Sequence, residues 1–122
     1  MPLLSYPQSE ENPMVLKTIP FDEFYSVYKE RKSNGKGIIL DIRTPREYDR
    51  GHVPAAKNID YYAADFNQQL SKLDKDNAYF IYCNSGNRSG NSLKLFKELG
   101  FKEVYDLRGG WMWNKKGLLS LQ

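Results

Sequence analysis

Apolar positions along the chain follow two alternating rhythms. Residues 37–42 (Gly-Ile-Ile-Leu-Asp-Ile) and 78–82 (Ala-Tyr-Phe-Ile-Tyr) are nearly continuous apolar runs, the pattern of strands covered on both faces. Residues 103–107 read as a further strand, 17–19 as an edge strand and 58–59 as a brief one. Between them the spacing turns helical. Pro20 with Asp22 and Glu23 marks a helix start, Phe21, Phe24, Tyr25 and Tyr28 form its apolar stripe, and Ser33-Asn34-Gly35 ends it. Residues 65–73 predict a short helix, and residues 88–99 a longer one carrying Leu93, Leu95, Phe96 and Leu99 and stopped by Gly100. Gly109-Gly110 opens a last aromatic helical turn, and residues 45–57 hold turn formers and charges. Alternation of this kind predicts an α/β fold, a parallel sheet of about five strands with helices on both faces. Residues 1–13, rich in Pro, Ser, Glu and Asn, read as a flexible tail ahead of one domain over 14–122.

Composition narrows the chemistry. With 122 residues, 40% hydrophobic, 14% aromatic and 27% charged, the chain has the profile of a single soluble globular domain. A net charge of +3, scattered along the sequence, gives no reason to expect nucleic acid. No apolar run reaches the length of a membrane span. The first residues lack the basic and apolar regions of a signal peptide, so the expected compartment is the cytoplasm, or the periplasm if such a peptide has been removed. One cysteine and one histidine exclude an internal disulfide, a cysteine-rich zinc site and a Cys-x-x-Cys redox pair. Neither a metal nor a cofactor is expected. Any thiol chemistry falls to Cys83.

Cys83 follows a buried strand and precedes a helix, in Cys83-Asn84-Ser85-Gly86-Asn87-Arg88-Ser89. In open parallel sheets, sites lie beyond the carboxyl ends of strands. A tight loop entering a helix turns successive backbone N–H groups inward, which makes a nest for an anion. The helix N-terminus and Arg88 both favour thiolate over thiol, and Gly86 allows the backbone angles that a cradle needs. A lone cysteine after an apolar strand is otherwise an inert core side chain; the flanking Gly, Arg and Ser favour a nucleophile.

Cys-x-x-Gly-x-Arg-Ser at residues 83–89 resembles the active-site loop of the rhodanese, or thiosulfate sulfurtransferase, family. Asp41-Ile42-Arg43, Glu47-Tyr48 and the run Gly51-His52-Val53-Pro54-Ala55-Ala56-Lys57-Asn58-Ile59 are similar to its first signature, with Ala55 where the family usually has Gly. Leu107-Arg108-Gly109-Gly110 with Trp113 and Gly117 resembles its closing motif, and the likeness covers about residues 15–119. The resemblance implies a rhodanese-like fold and a sulfurtransferase. Cys83 would take a sulfane sulfur from thiosulfate or a similar small-molecule donor, hold it as a persulfide in the nest of Asn84, Ser85, Gly86, Asn87, Arg88 and Ser89, and pass it to a thiol or cyanide. A partner protein is a further candidate as donor or acceptor. Arg88 is the one charged side chain of the loop, so donor affinity is expected mainly from backbone N–H groups.

Two other classes compete. One is a non-catalytic or sulfur-relay docking module. The other is a Cys-dependent phosphatase or arsenate reductase; loops of the Cys-x5-Arg phosphatase type hold five residues where this one holds four, and no acid stands near the loop to protonate a leaving group. Asp41, Arg43 and Glu47 are expected to support the site as an ion-pair set, with Asp41 a partner for Arg88; direct substrate contact is the alternative. His52, in a Gly-His-Val-Pro turn, is expected to be scaffold rather than half of a Cys-His dyad. Tyr79, Phe80 and Tyr82 read as sheet core. Trp111 and Trp113 read as packing for the last helix, with an acceptor groove as the alternative. Whether Tyr61 and Tyr62 border the pocket is open at this level.

Overall fold

The structure, a computed structural model, describes residues 14–121. In chain order its elements are β1 (Val15–Ile19), α1 (Phe21–Ser33), β2 (Gly37–Asp41), α2 (Pro45–Asp49), β3 (Lys57–Asn58), α3 (Phe66–Ser71), β4 (Ala78–Tyr82), α4 (Asn87–Glu98), β5 (Glu103–Leu107) and α5 (Gly110–Leu118). The five strands form one sheet in the order β1-β5-β4-β2-β3, every pairing parallel. The chain is therefore an α/β protein built on a parallel five-stranded sheet, as the alternation of apolar runs predicts. The tail expected over residues 1–13 lies outside the described residues.

β4 is the central strand, and all five of its residues are buried. Strand alternation splits them between two cores. Ala78, Phe80 and Tyr82 join Phe24, Tyr28 and Leu118 on the face covered by α1 and α5. Tyr79, Ile81 and Cys83 join Phe66, Leu70 and Phe96 on the face covered by α3 and α4. Phe80 organises the first core, meeting Phe24 and Tyr28 edge-on at 5.5 and 5.3 Å and stacking on Tyr105 at 5.0 Å. Burying one such ring contributes about 1.5–3 kcal/mol from apolar area alone. The same alternation directs Cys83 toward α4.

Local chemistry explains where elements start and stop. Residues 45–57, expected to be turns, contain the short helix α2. Thr44 Oγ1 accepts from the Glu47 N–H, the Glu47 carboxylate accepts from the Thr44 N–H, and Pro45 takes the first helical position. Such a reciprocal cap sustains a five-residue helix that side-chain periodicity cannot reveal. The brief strand is Lys57–Asn58 rather than 58–59, with the Ile59 N–H still donating to the Asp41 carbonyl at 3.0 Å. The last helical turn extends to the nine residues of α5. Among the described residues, no helix is long and apolar enough to cross a membrane.

Candidate functional site

The carboxyl ends of β2, β4 and β5 converge, and the loops leaving them build one site. Cys83, the first residue after β4, is fully buried. Its Sγ accepts from the Gly86 N–H at 3.1 Å, the Ser89 N–H at 3.4 Å and the Ser89 hydroxyl at 3.3 Å. Three donors converging on one sulfur favour negative charge there, and the N-terminus of α4 adds its dipole. Gly86 caps α4 with φ of 101°, a left-handed conformation that closes the loop under the sulfur. Among the described residues, the amides of Ser85, Asn87 and Arg88 donate to no acceptor, which leaves them for an anion.

A second loop clasps the first. The Trp111 N–H donates to the Cys83 carbonyl at 2.8 Å, and the Met112 N–H to the Asn84 carbonyl at 2.9 Å. The approach is so close that a Cβ on Gly110, whose φ is 60°, would lie 2.5 Å from the Cys83 oxygen and 2.7 Å from that of Asn84. These contacts lock the loop after β4 onto the start of α5.

In the third loop, after β2, Asp41, Arg43 and Glu47 all enter ion pairs, with partners other than the sequence suggests. Arg88 pairs with Glu47, not Asp41. Its two terminal nitrogens donate to the two Glu47 carboxylate oxygens at 2.8 and 2.9 Å. The capping role that fixes Glu47 at the third position of α2 is what aims its carboxylate at Arg88. The Arg88 hydrogen bonds, with smaller help from Thr44, hold the Glu47 carboxyl down to about 2 against the opposing effect of burial. Asp41 is taken by Arg43 instead, through contacts of 2.6 to 3.1 Å. Arg43 also donates to the Gly51 carbonyl at 2.6 Å and lies over the rings of Trp111 and Tyr82 at 4.8 and 5.5 Å. Asp41 and Arg43 are both buried, so this pair braces the strand end and reaches Cys83 only through its neighbours.

The remaining candidates sort clearly. His52 stacks on Tyr48 at 3.6 Å and its Nδ1–H donates to the Tyr48 carbonyl at 2.8 Å, which makes it scaffold. Tyr79, Phe80 and Tyr82 are core. Trp111 is buried and stacks on Tyr82 at 6.1 Å, as packing requires. Trp113 departs from that expectation: it is 78% exposed. Two residues apart on a helix are about 200° apart around it, so Trp111 and Trp113 cannot both face the sheet. Tyr62, also exposed, places its ring 5.6 Å from the Arg88 guanidinium and so borders the site, while Tyr61 packs edge-on against Phe66 at 5.3 Å. One residue of the site escapes a reading by periodicity. Thr44 was legible in the Thr-x-x-Glu pattern of residues 44–47.

Residues 25–116 match the rhodanese-like domain family. A sulfurtransferase from Allochromatium vinosum is 34% identical over 82 residues, covering 66% of this chain and 75% of that protein. An adenylyltransferase and sulfurtransferase from Saccharomyces cerevisiae is 36% identical over 102 residues; the match takes in 76% of this chain and only 23% of the yeast protein. The crystal structure of a rhodanese-related protein from Thermoplasma volcanium superposes with a TM-score of 0.66 at 24% identity, over 83% of this chain and 93% of that one.

Proposed function

Because the chain belongs to the rhodanese-like domain family, we propose that it is a sulfurtransferase working through a persulfide on Cys83. The Cys83 thiolate attacks the outer sulfur of thiosulfate, or of a similar sulfane donor. A new S–S bond forms to Sγ, the old one breaks, and sulfite leaves with the electron pair. An acceptor thiolate or cyanide then attacks the outer sulfur of the persulfide and returns Cys83 as thiolate. Electrons balance over the two steps, so the cycle calls for no redox partner.

The observation that carries this reading is the convergence of the Gly86 N–H, the Ser89 N–H and the Ser89 hydroxyl on Sγ, beside the uncommitted amides of Ser85, Asn87 and Arg88. The first set favours a thiolate nucleophile. The second supplies donors for the outer sulfur or for the departing sulfonate. With four residues between Cys83 and Arg88, the cradle suits one sulfur atom better than a tetrahedral phosphate. Arg88 itself is bound to Glu47, so its charge is largely answered before a donor arrives.

A partner protein as sulfur acceptor is favoured by the yeast relative, whose name joins a sulfurtransferase to an adenylyltransferase in a chain more than four times the matched length. Mass spectrometry after incubation with thiosulfate, a polysulfide and a thiol persulfide tests the proposal. The expected result is a gain of one sulfur on Cys83, retained until an external thiol is added, because the chain has no second cysteine to discharge it. An unchanged mass with all three donors would overturn it.

A further inference from the structure

Large apolar side chains left in water are unevenly placed on this chain. Five are exposed among the described residues: Met14, Tyr62, Met112, Trp113 and Leu119. Three of them rim the Cys83 cradle. Trp113 lies over Gly109, where an added Cβ would meet the Trp113 Cβ at 3.0 Å and its Cδ1 at 3.2 Å. A Cβ on Gly86 of the cradle would in turn lie 3.3 Å from the Gly109 nitrogen. Met112 is tied to the same loop by the bond from its N–H to the Asn84 carbonyl. Tyr62 stands with its ring 5.6 Å from the Arg88 guanidinium. In the sheet order β1-β5-β4-β2-β3, the cradle leaves β4, α5 follows β5 and Tyr62 follows β3. The two apolar lips therefore come from opposite sides of β4.

Cys83 between them is fully buried, so the flat surface of a folded protein cannot touch its sulfur. A thiol carried on an extended segment can enter between the lips. Charge selects the segment further. Residues 107–121 hold Arg108, Lys115 and Lys116 and no acid. All three cations are exposed, and among the described residues none of them enters an ion pair. Lys115 lies over the Trp111 ring at 5.9 Å. Met112, Lys115, Lys116 and Leu119, spaced i, i+3, i+4 and i+7, share one face of α5 and its cap. The Tyr62 lip carries the acids Asp60 and Asp65, which accept from the Tyr62 N–H and the Gln69 amide. Positive charge is thus concentrated on the α5 lip. Exposed apolar side chains set among cations without counter-ions mark an interface.

We infer that this rim is a docking surface for an extended, acidic segment of a partner protein that carries the acceptor thiol. Apolar side chains of the segment pack on Trp113 and Met112, its carboxylates face Arg108, Lys115 and Lys116, and Tyr62 closes the far side. Its thiolate attacks the outer sulfur of the persulfide. An S–S bond forms on the segment, the bond to Cys83 breaks, and Cys83 leaves with the electron pair as thiolate. The inference deepens the sulfurtransferase reading and rests on it for the thiol, while the surface itself is tested without sulfur. A bilayer does not fit this shape, because its flat face cannot enter between the lips toward a buried sulfur.

The probe is a synthetic peptide with a central cysteine flanked by aspartates and leucines. A serine analogue serves for binding, and analogues with lysine for aspartate serve as controls. Titrated into the full chain labelled with nitrogen-15, the serine peptide should shift the indole N–H signal of Trp113 more than that of Trp111. Trp113→Ala, and separately the combined changes Arg108→Ser, Lys115→Ser and Lys116→Ser, should each weaken binding about tenfold. Salt at about 1 M, which screens charges beyond about 3 Å, should weaken it in the natural chain. In discharge of the Cys83 persulfide, the acidic cysteine peptide should outpace its lysine analogue about tenfold, and the combined charge variant should erase that preference. Equal affinity for acidic and lysine peptides, an unmoved Trp113 signal, or equal discharge rates would overturn the docking surface. Binding to phosphatidylglycerol vesicles that depends on Trp113, with none to the peptide, would assign the face to a membrane instead. Should the serine peptide bind as expected while Cys83 takes no sulfur from any donor, the assigned reaction would fail and the surface would stand.

Discussion

Glu47 joins two structures that the sequence keeps forty-one residues apart, and Glu47→Gln separates its two roles. Gln is a competent third residue of a capping box, so α2 keeps its cap. The charge facing Arg88 disappears. Glu47 Oε1 accepts from the Thr44 N–H, the Thr44 hydroxyl and Arg88, and Oε2 from Arg88 again. These donors take the carboxyl from 4.5 to about 2, Arg88 foremost. A depression of that size corresponds to about 3 kcal/mol of folding free energy. The two side chains are 30% and 17% exposed, and solvent screening reduces the share expected from the ion pair to about 2 kcal/mol.

The sign is fixed by linkage. A carboxyl depressed in the folded state stabilises fully above its unfolded value near 4.5, and the contribution is lost as pH falls toward about 2. Urea unfolding followed by far-ultraviolet circular dichroism should therefore place Glu47→Gln about 2 kcal/mol below the natural chain at pH 7. The gap should close steadily between pH 4.5 and 2. Sulfur uptake should slow as well, because Arg88 loses the anchor that holds it beside the loop. A gap at pH 7 under 0.5 kcal/mol, within the range of ordinary surface substitutions, or one independent of pH, would refute the assignment of Glu47 as the partner of Arg88.

Gly110→Ala should destabilise by about 3 kcal/mol or more and abolish sulfur uptake, since the new Cβ meets two carbonyl oxygens at a left-handed backbone position; a urea midpoint within error of the natural chain would contradict the clasp between the two loops. A glycine inserted after Ser85 should end thiosulfate:cyanide transfer, and the natural chain should not hydrolyse an aryl phosphate. Phosphate turnover by the natural chain, lost in Cys83→Ser, would replace the sulfur reading with a phosphatase.

What the sequence reveals follows the range of the forces involved. β4 and β5 match the expected spans residue for residue; in β4 burial on both faces writes itself into consecutive apolar positions, and in β5 Val104, Tyr105 and Leu107 keep the run readable despite Asp106. The Cys83 loop was legible because its chemistry is compressed into seven adjacent residues. α2 was hidden because a cap, not periodicity, sustains it. The Arg88 partner was hidden for another reason: Asp41 and Glu47 both stand near the end of β2, and only the turn made by α2 decides which carboxylate reaches across. Trp113 was misjudged by composition, since an aromatic in a closing helix reads as packing until the helix phase is known.

On the proposed reading, size rather than charge would set what the cradle accepts. Backbone N–H groups and a helix N-terminus attract thiosulfate and phosphate alike, and Arg88 adds little discrimination once Glu47 has answered it. The boundaries of the cradle are another matter. Gly86 turns back at φ 101°, where a Cβ would lie 3.3 Å from the Gly109 nitrogen and 3.9 Å from the Leu107 carbonyl oxygen, and Gly110 presses on Cys83 and Asn84. Two left-handed glycines on one loop meet one on the other, so neither loop can expand without displacing its neighbour. Close-packed protein interiors resist such adjustment. A relay, a sulfurtransferase and a phosphatase would share the electrostatics of this loop, so on the proposed reading it is the clasp of its glycines that would restrict the cradle to a single sulfur.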